Sequence, residues 1–120
     1  MSAIRYLLDE NVDPTLRTQL IRHAPDLVVW RIGDPGAPKH GTLDPEILLW
    51  CEANSFVLVI GNRKSMPVHL RAHLAAGHHV PGILVLHPDM TIGAALDHLL
   101  LIWGMSEAEE YRDLLLYLPL

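Results

Sequence analysis

Short, wholly apolar runs alternate along this chain with segments whose apolar residues recur every three or four positions. Residues 4–8 are apolar but for Arg5 and stop at Asp9-Glu10-Asn11, the pattern of a buried strand ending in a polar cluster. Asp13-Pro14 then has the form of a helix start, with Asp as N-cap and Pro at the first helical position, and Leu16, Leu20 and Ile21 supply the apolar stripe. Residues 27–32 read as a second strand, and 33–41 (GDPGAPKHG) as a loop without periodicity. Asp44-Pro45 repeats the cap-and-proline device ahead of Ile47, Leu48 and Cys51. Residues 56–60 form a third strand. A helix follows from Ser65 or Met66 to Ala76, with Gly77 as its stop, and residues 83–86 form a fourth strand. Thr91 caps a helix carrying Ala95, Leu96, Leu99 and Leu100, and Ser106 with Glu109 has capping-box spacing for a last helix.

Apolar strands without alternation, separated by helices, indicate strands covered on both faces. The expected fold is therefore α/β: a three-layer α/β/α sandwich with a mainly parallel sheet of about four strands, in one domain over residues 1–120. Half of the 120 residues are hydrophobic and 19% are charged, so the chain can build a core. No apolar run approaches the roughly 18 residues of a membrane span, and the start of the chain lacks a signal-peptide pattern. One cysteine, Cys51, excludes an internal disulfide framework, and a cytoplasmic setting is expected.

Charge changes the picture through its distribution. The net charge is −5, which excludes a uniformly basic nucleic-acid binder. Residues 53–88 nevertheless contain no Asp or Glu, and hold Arg63, Lys64, Arg71 and five of the eight histidines. One locally positive face is expected, with Arg63, Lys64 and Arg71 as its basic patch.

Ligands of open α/β sheets bind beyond the carboxyl ends of the strands. The residues there are Asp9, Glu10 and Asn11 after the first strand, Asp34 after the second, Asn62, Arg63 and Lys64 after the third, and His87 and Asp89 after the fourth. Carboxylates from several strands on one edge suit hard divalent ions such as Mg²⁺ or Mn²⁺, which can activate water in phosphodiester cleavage. Each acid also has a plainer reading. Asp13 and Asp44 fit N-caps, and Asp34 and Asp89 fit turns. Asp9 is either a functional carboxylate or a structural one receiving backbone N–H groups.

The opening Leu7-Leu8-Asp9-Glu10-Asn11-Val12, the segment Leu43-Asp44-Pro45-Glu46-Ile47-Leu48, and the apolar strand at 56–60 followed by a polar turn resemble the uncharacterised PIN-like proteins, a branch of the PIN nuclease superfamily related to VapC-type toxins. The resemblance covers roughly residues 3–70. It implies a metal-dependent ribonuclease, the toxin-like half of a bacterial toxin–antitoxin pair, with RNA and an antitoxin-like protein as partners. In that reading Asp9, Asp44, Glu46 and Asn62 form the catalytic site, with Asp9, Glu46 and Asn62 holding Mg²⁺ or Mn²⁺ and Arg63, Lys64 and Arg71 contacting RNA. The chain departs from the family after the third strand: Asn62 and Lys64 stand where two aspartates are expected. Lys64 cannot ligate a metal through oxygen, and that departure implies the alternative of a catalytically degenerate module that binds RNA or a protein partner.

The histidines form a second constellation. His69 and His73 are four apart on one expected helix face, and His78 and His79 follow it. Two imidazoles are half of a structural zinc site, and the glutamate of the metalloprotease helix motif is absent. A polar helix face is the plainer reading. Trp30, Trp50 and Trp103 are scattered without base-stacking spacing. The leucine-rich residues 114–120 are expected to dock on the chain's own core or on a second copy in a homodimer.

Overall fold

The computed structural model describes residues 4–119. Five strands, β1 (Tyr6–Leu8), β2 (Val29–Arg31), β3 (Val57–Ile60), β4 (Ile83–Leu86) and β5 (Leu115–Leu118), form one sheet in the order β2-β1-β3-β4-β5. Every pairing is parallel. Four helices, α1 (Pro14–His23), α2 (Asp44–Asn54), α3 (Met66–Ala75) and α4 (Ile92–Met105), connect the strands, and a single 3-10 turn, Ala108–Tyr111, lies between α4 and β5.

The strands lack alternation because both faces of the sheet are covered. Tyr6, Leu8, Val57, Val59 and Leu84 pack with Leu16 and Leu20 of α1 and Ala95, Leu99 and Ile102 of α4. Leu7, Leu58, Ile60, Ile83 and Val85 pack against Ile47, Leu48 and Cys51 of α2 and Met66 and Leu70 of α3 on the other face. The α/β sandwich expected from the hydrophobic pattern is thus formed, with five strands and all of them parallel. Three crossovers share one hand. The fourth, β4–α4–β5, crosses the sheet in the same direction as β3–α3–β4 but carries its helix on the α1 face, so its hand is reversed. α1 alone leaves part of that face bare, and α4 fills it. A buried hydrogen bond fixes α4 there, the Tyr6 hydroxyl donating to the Leu99 carbonyl at 2.8 Å.

The structure departs from the expected elements at three places. Residues 106–111 form no full helix: the capping box lies one residue later, between Glu107 and Glu110, and serves only the 3-10 turn. Asp113, at φ +63°, then redirects the chain into β5. The leucine-rich tail therefore docks on the chain's own sheet, as its fifth strand beside β4; Leu120 lies outside the described residues. The caps divide likewise. Asp13 accepts from the Thr15 N–H at 2.9 Å and Thr91 from the Ala94 N–H at 3.1 Å, as expected. Asp44 does not cap α2; the N-cap is Leu43, and the Asp44 carboxylate is turned to another partner.

Strand order reverses at β1, because the chain runs from β1 to β2 and returns to β3 on the other side. The crevice outside the carboxyl ends of β1 and β3 is where such sheets take ligands.

Candidate functional site

Asp9 continues β1 into this crevice. Its backbone N–H donates to the Val59 carbonyl at 2.9 Å, so the ladder with β3 fixes its position. Its side chain is only 3% exposed. Asp44, in the first turn of α2, brings a second carboxylate to the same place. Arg63, in the turn after β3, lies between them. Its Nη2 is 2.5 Å from Asp9 Oδ1, and its Nη1 donates to Asp44 Oδ1 at 2.5 Å. His69 Nε2, on α3, is 3.9 Å from Asp44 Oδ2. One guanidinium thus bridges two carboxylates from different elements, in charge-assisted contacts of the kind planar arginine makes well. Asp9 Oδ2 is buried and has no hydrogen-bond partner.

The other residues of the expected site are placed apart from this pair. Glu46 is exposed on α2. Asn62 is exposed and lines a cleft of ≈ 240 Å³ with Asn11, Gly61, His87 and Thr91, above the carboxyl ends of β1, β3 and β4. Lys64 and Arg71 are exposed and make no ion pair among the described residues. Two further acids of this edge are engaged elsewhere. Glu10 Oε2 is 2.8 Å from His40 Nδ1, and that hydrogen bond holds its carboxyl below the ordinary range. The loop 33–41 carries His40 back over Gly33, whose φ of +101° and contact with the His40 ring leave no room for a Cβ. Asp34 accepts from Arg17 at 2.6 Å and from the Arg31 N–H at 2.9 Å.

The fit of a hard divalent ion follows from these positions. Mg²⁺ and Mn²⁺ require several oxygen ligands within about 2.0–2.3 Å, and their affinity grows with the carboxylates around them. Here two carboxylates converge, and a fixed cation lies between them. At about 5 Å, in a partly buried site of effective dielectric near 20, a guanidinium repels a divalent ion by several kcal/mol. Asp9 Oδ2 is a buried carboxylate oxygen left without a hydrogen bond. With Arg63 in this position the residues do not fit the ion.

The described residues hold a second polar cluster, at the amino ends of the strands. Near the end of α2, Glu52 Oε1 is 2.9 Å from His78 Nδ1 and 3.4 Å from His73 Nε2. The His73 and His78 rings are stacked, with centroids 4.9 Å apart, and the His73 side chain is 4% exposed. The three potential ligand atoms lie within 4.8 Å of one another, so this group could hold a metal ion. The His79 backbone N–H donates to Glu52 Oε2 at 3.0 Å. That bond, with the neighbouring imidazoles, lowers the Glu52 pKa. His79 pairs in turn with Asp113 at 2.7 Å. His69 and His73 share a helix face as expected, but each takes a different partner, Asp44 for one and Glu52 for the other. Glu52 carries no motif that marks it; the signal available was its place as the last acid before the acid-free stretch.

Burial pushes the Cys51 thiol up to about 12, which makes it a small core residue and a poor nucleophile. Trp30 and Trp50, scattered in sequence, meet around Phe56 with centroids 5.0–6.0 Å apart, and Arg5 lies over the Phe56 ring. Among the described residues no helix is long and apolar enough to cross a membrane. No protein-family model, curated protein or solved structure matches this chain.

Proposed function

We propose that the chain is a catalytically degenerate PIN-like module that binds RNA. The observation that carries this reading is Arg63 bridging Asp9 and Asp44 in the crevice where the resemblance implies a metal ion. An internal guanidinium satisfies the charge of the two acids permanently. It cannot take a proton from water or ligate a metal ion, because it has no lone pair and does not lose its proton near neutrality. The edge then keeps its shape without supplying a nucleophile.

Binding is supported by what surrounds the neutralised pair. Lys64 and Arg71 are exposed cations, and Asn62 and His87 line the adjacent cleft. Exposed, unpaired cations are the groups that hold phosphate, while amides and imidazoles can reach base edges and sugars.

The test combines two assays on the same preparations. Fluorescence anisotropy with a labelled single-stranded RNA is expected to show binding that weakens steeply with salt and falls in Lys64→Ala/Arg71→Ala. RNA cleavage with Mn²⁺, with and without chelator, is expected to be absent. Metal-dependent cleavage by the unaltered chain that Asp9→Ala abolishes would restore the ribonuclease reading. No RNA binding at low salt would overturn the binding role.

A further inference from the structure

The cluster at the amino ends of the strands has the composition and spacing of a site for a different kind of ion. We propose that Glu52, His73 and His78 bind one zinc-class divalent ion, which joins the end of α2, the end of α3 and the loop leading into β4. This proposal stands apart from the RNA-binding reading and shares no residue with it.

The donor set is two imidazoles and one carboxylate, which suits Zn²⁺ and its borderline neighbours rather than Mg²⁺. Tetrahedral coordination with bonds of about 2.0–2.1 Å places ligand atoms about 3.3 Å apart. The separations from Glu52 Oε1, 3.4 Å to His73 Nε2 and 2.9 Å to His78 Nδ1, bracket that edge. Little backbone movement is needed, since the three atoms are already gathered.

The surroundings prepare the ligands. Glu52 Oε2 is held by the His79 N–H, which leaves Oε1 aimed at the imidazoles. His73 is fixed by burial and by its stacking on His78. His73 Nε2 now lies 2.9 Å from the His79 carbonyl. Coordination through Nε2 replaces that contact and places the ring proton on Nδ1. His78 is half exposed, and a cavity of ≈ 200 Å³ lined by Leu49, His69, Ala72, His73 and His78 opens beside it, so a fourth ligand can enter from solvent. Three protein ligands with one open position is the arrangement of accessible zinc sites.

The experiment uses metal-free full chain titrated with Zn²⁺, and with Co²⁺ as a visible reporter of tetrahedral coordination. The expected result is one Zn²⁺ per chain, tetrahedral Co²⁺ bands, and no competition from excess Mg²⁺. His78→Ala and Glu52→Gln alter solvent-accessible side chains and are expected to fold, which circular dichroism checks. Each should weaken Zn²⁺ by more than about 100-fold, beyond the effect typical of an outer-shell change. His87→Ala, at the other end of the sheet, should leave affinity unchanged. Absence of Zn²⁺ binding, or equal affinity in folded His78→Ala and Glu52→Gln, overturns the proposal. So does loss of affinity in His79→Ala with none in His78→Ala, which would move the ion to the His79–Asp113 pair.

Discussion

α2 and α3 carry a polar cluster at each end, and the two clusters balance charge in opposite ways. At the carboxyl edge, Asp9 and Asp44 share the Arg63 guanidinium, a cation fixed to the chain. At the amino edge, Glu52 gathers His73 and His78, whose ring nitrogens can offer lone pairs. Guanidinium has donors alone, so the cation of the first cluster offers no lone pair to an incoming ion. Imidazole can donate a proton, accept one or ligate a metal, so the second is open to exchange. The same pair of helices therefore carries a cation fixed to the chain at one end and free imidazole lone pairs at the other.

Removing Arg63 is the strongest way to break this contrast. Arg63→Ala leaves Asp9 buried and charged without a partner, at an expected cost of about 3–5 kcal/mol in urea unfolding. The freed acids should then gain affinity for Mn²⁺, and part of the lost stability should return on adding it. A loss below about 1 kcal/mol, with no response to Mn²⁺, would show that Arg63 does not hold the edge.

Zn²⁺ sharpens the contrast from the other end. At a free concentration one-hundredfold above its Kd it should stabilise the unaltered chain by about 2.7 kcal/mol. The gain should survive in Arg63→Ala and vanish in His78→Ala; the reverse pattern would place the ion at the carboxyl edge.

Acid separates the clusters more gently. The folded pKa of Glu52 lies below its ordinary value, so its contribution is present above the ordinary carboxylate range and is lost as pH falls through the folded value. Glu52→Gln should flatten the decline of stability between about pH 5 and 3, measured by denaturant midpoints. A slope equal to that of the unaltered chain would mean that the His79 N–H bond has no weight in solution.

The smallest effect on stability is expected at Lys64 and Arg71. Their double replacement by alanine should change it by no more than about 0.5 kcal/mol, while lowering the salt slope of RNA binding by about 0.7 for each phosphate that is no longer neutralised.

The layers were legible in sequence because burial on both faces writes continuous apolar strands, and the caps at Asp13 and Thr91 are local devices readable over three residues. β5 was hidden by the acidic turn before it. Ser106 and Glu109 have helix-start spacing, but Asp113 turns the chain after one 3-10 turn. Asp44 shows the same limit at a site. Its sequence context is that of a cap, and only the fold brings Arg63 to it. The acid-free stretch was real, yet its charges are not unopposed. Asp9, Asp44, Glu52 and Asp113 all fold against it from outside, so a segregation along the chain becomes pairing in space. Partners of that kind lie far apart in sequence, and no local pattern records them.

The placing of β5 also has a consequence for synthesis. β4 pairs with β3 on one side and β5 on the other, and its Ile83, Leu84 and Val85 are buried. On the ribosome the β4 edge must wait while all of α4 and the acidic turn are made, on the order of a few seconds at 5–20 residues per second. For that interval the nascent chain displays an apolar strand with an open row of backbone donors and acceptors, the form most prone to pair with a neighbouring chain.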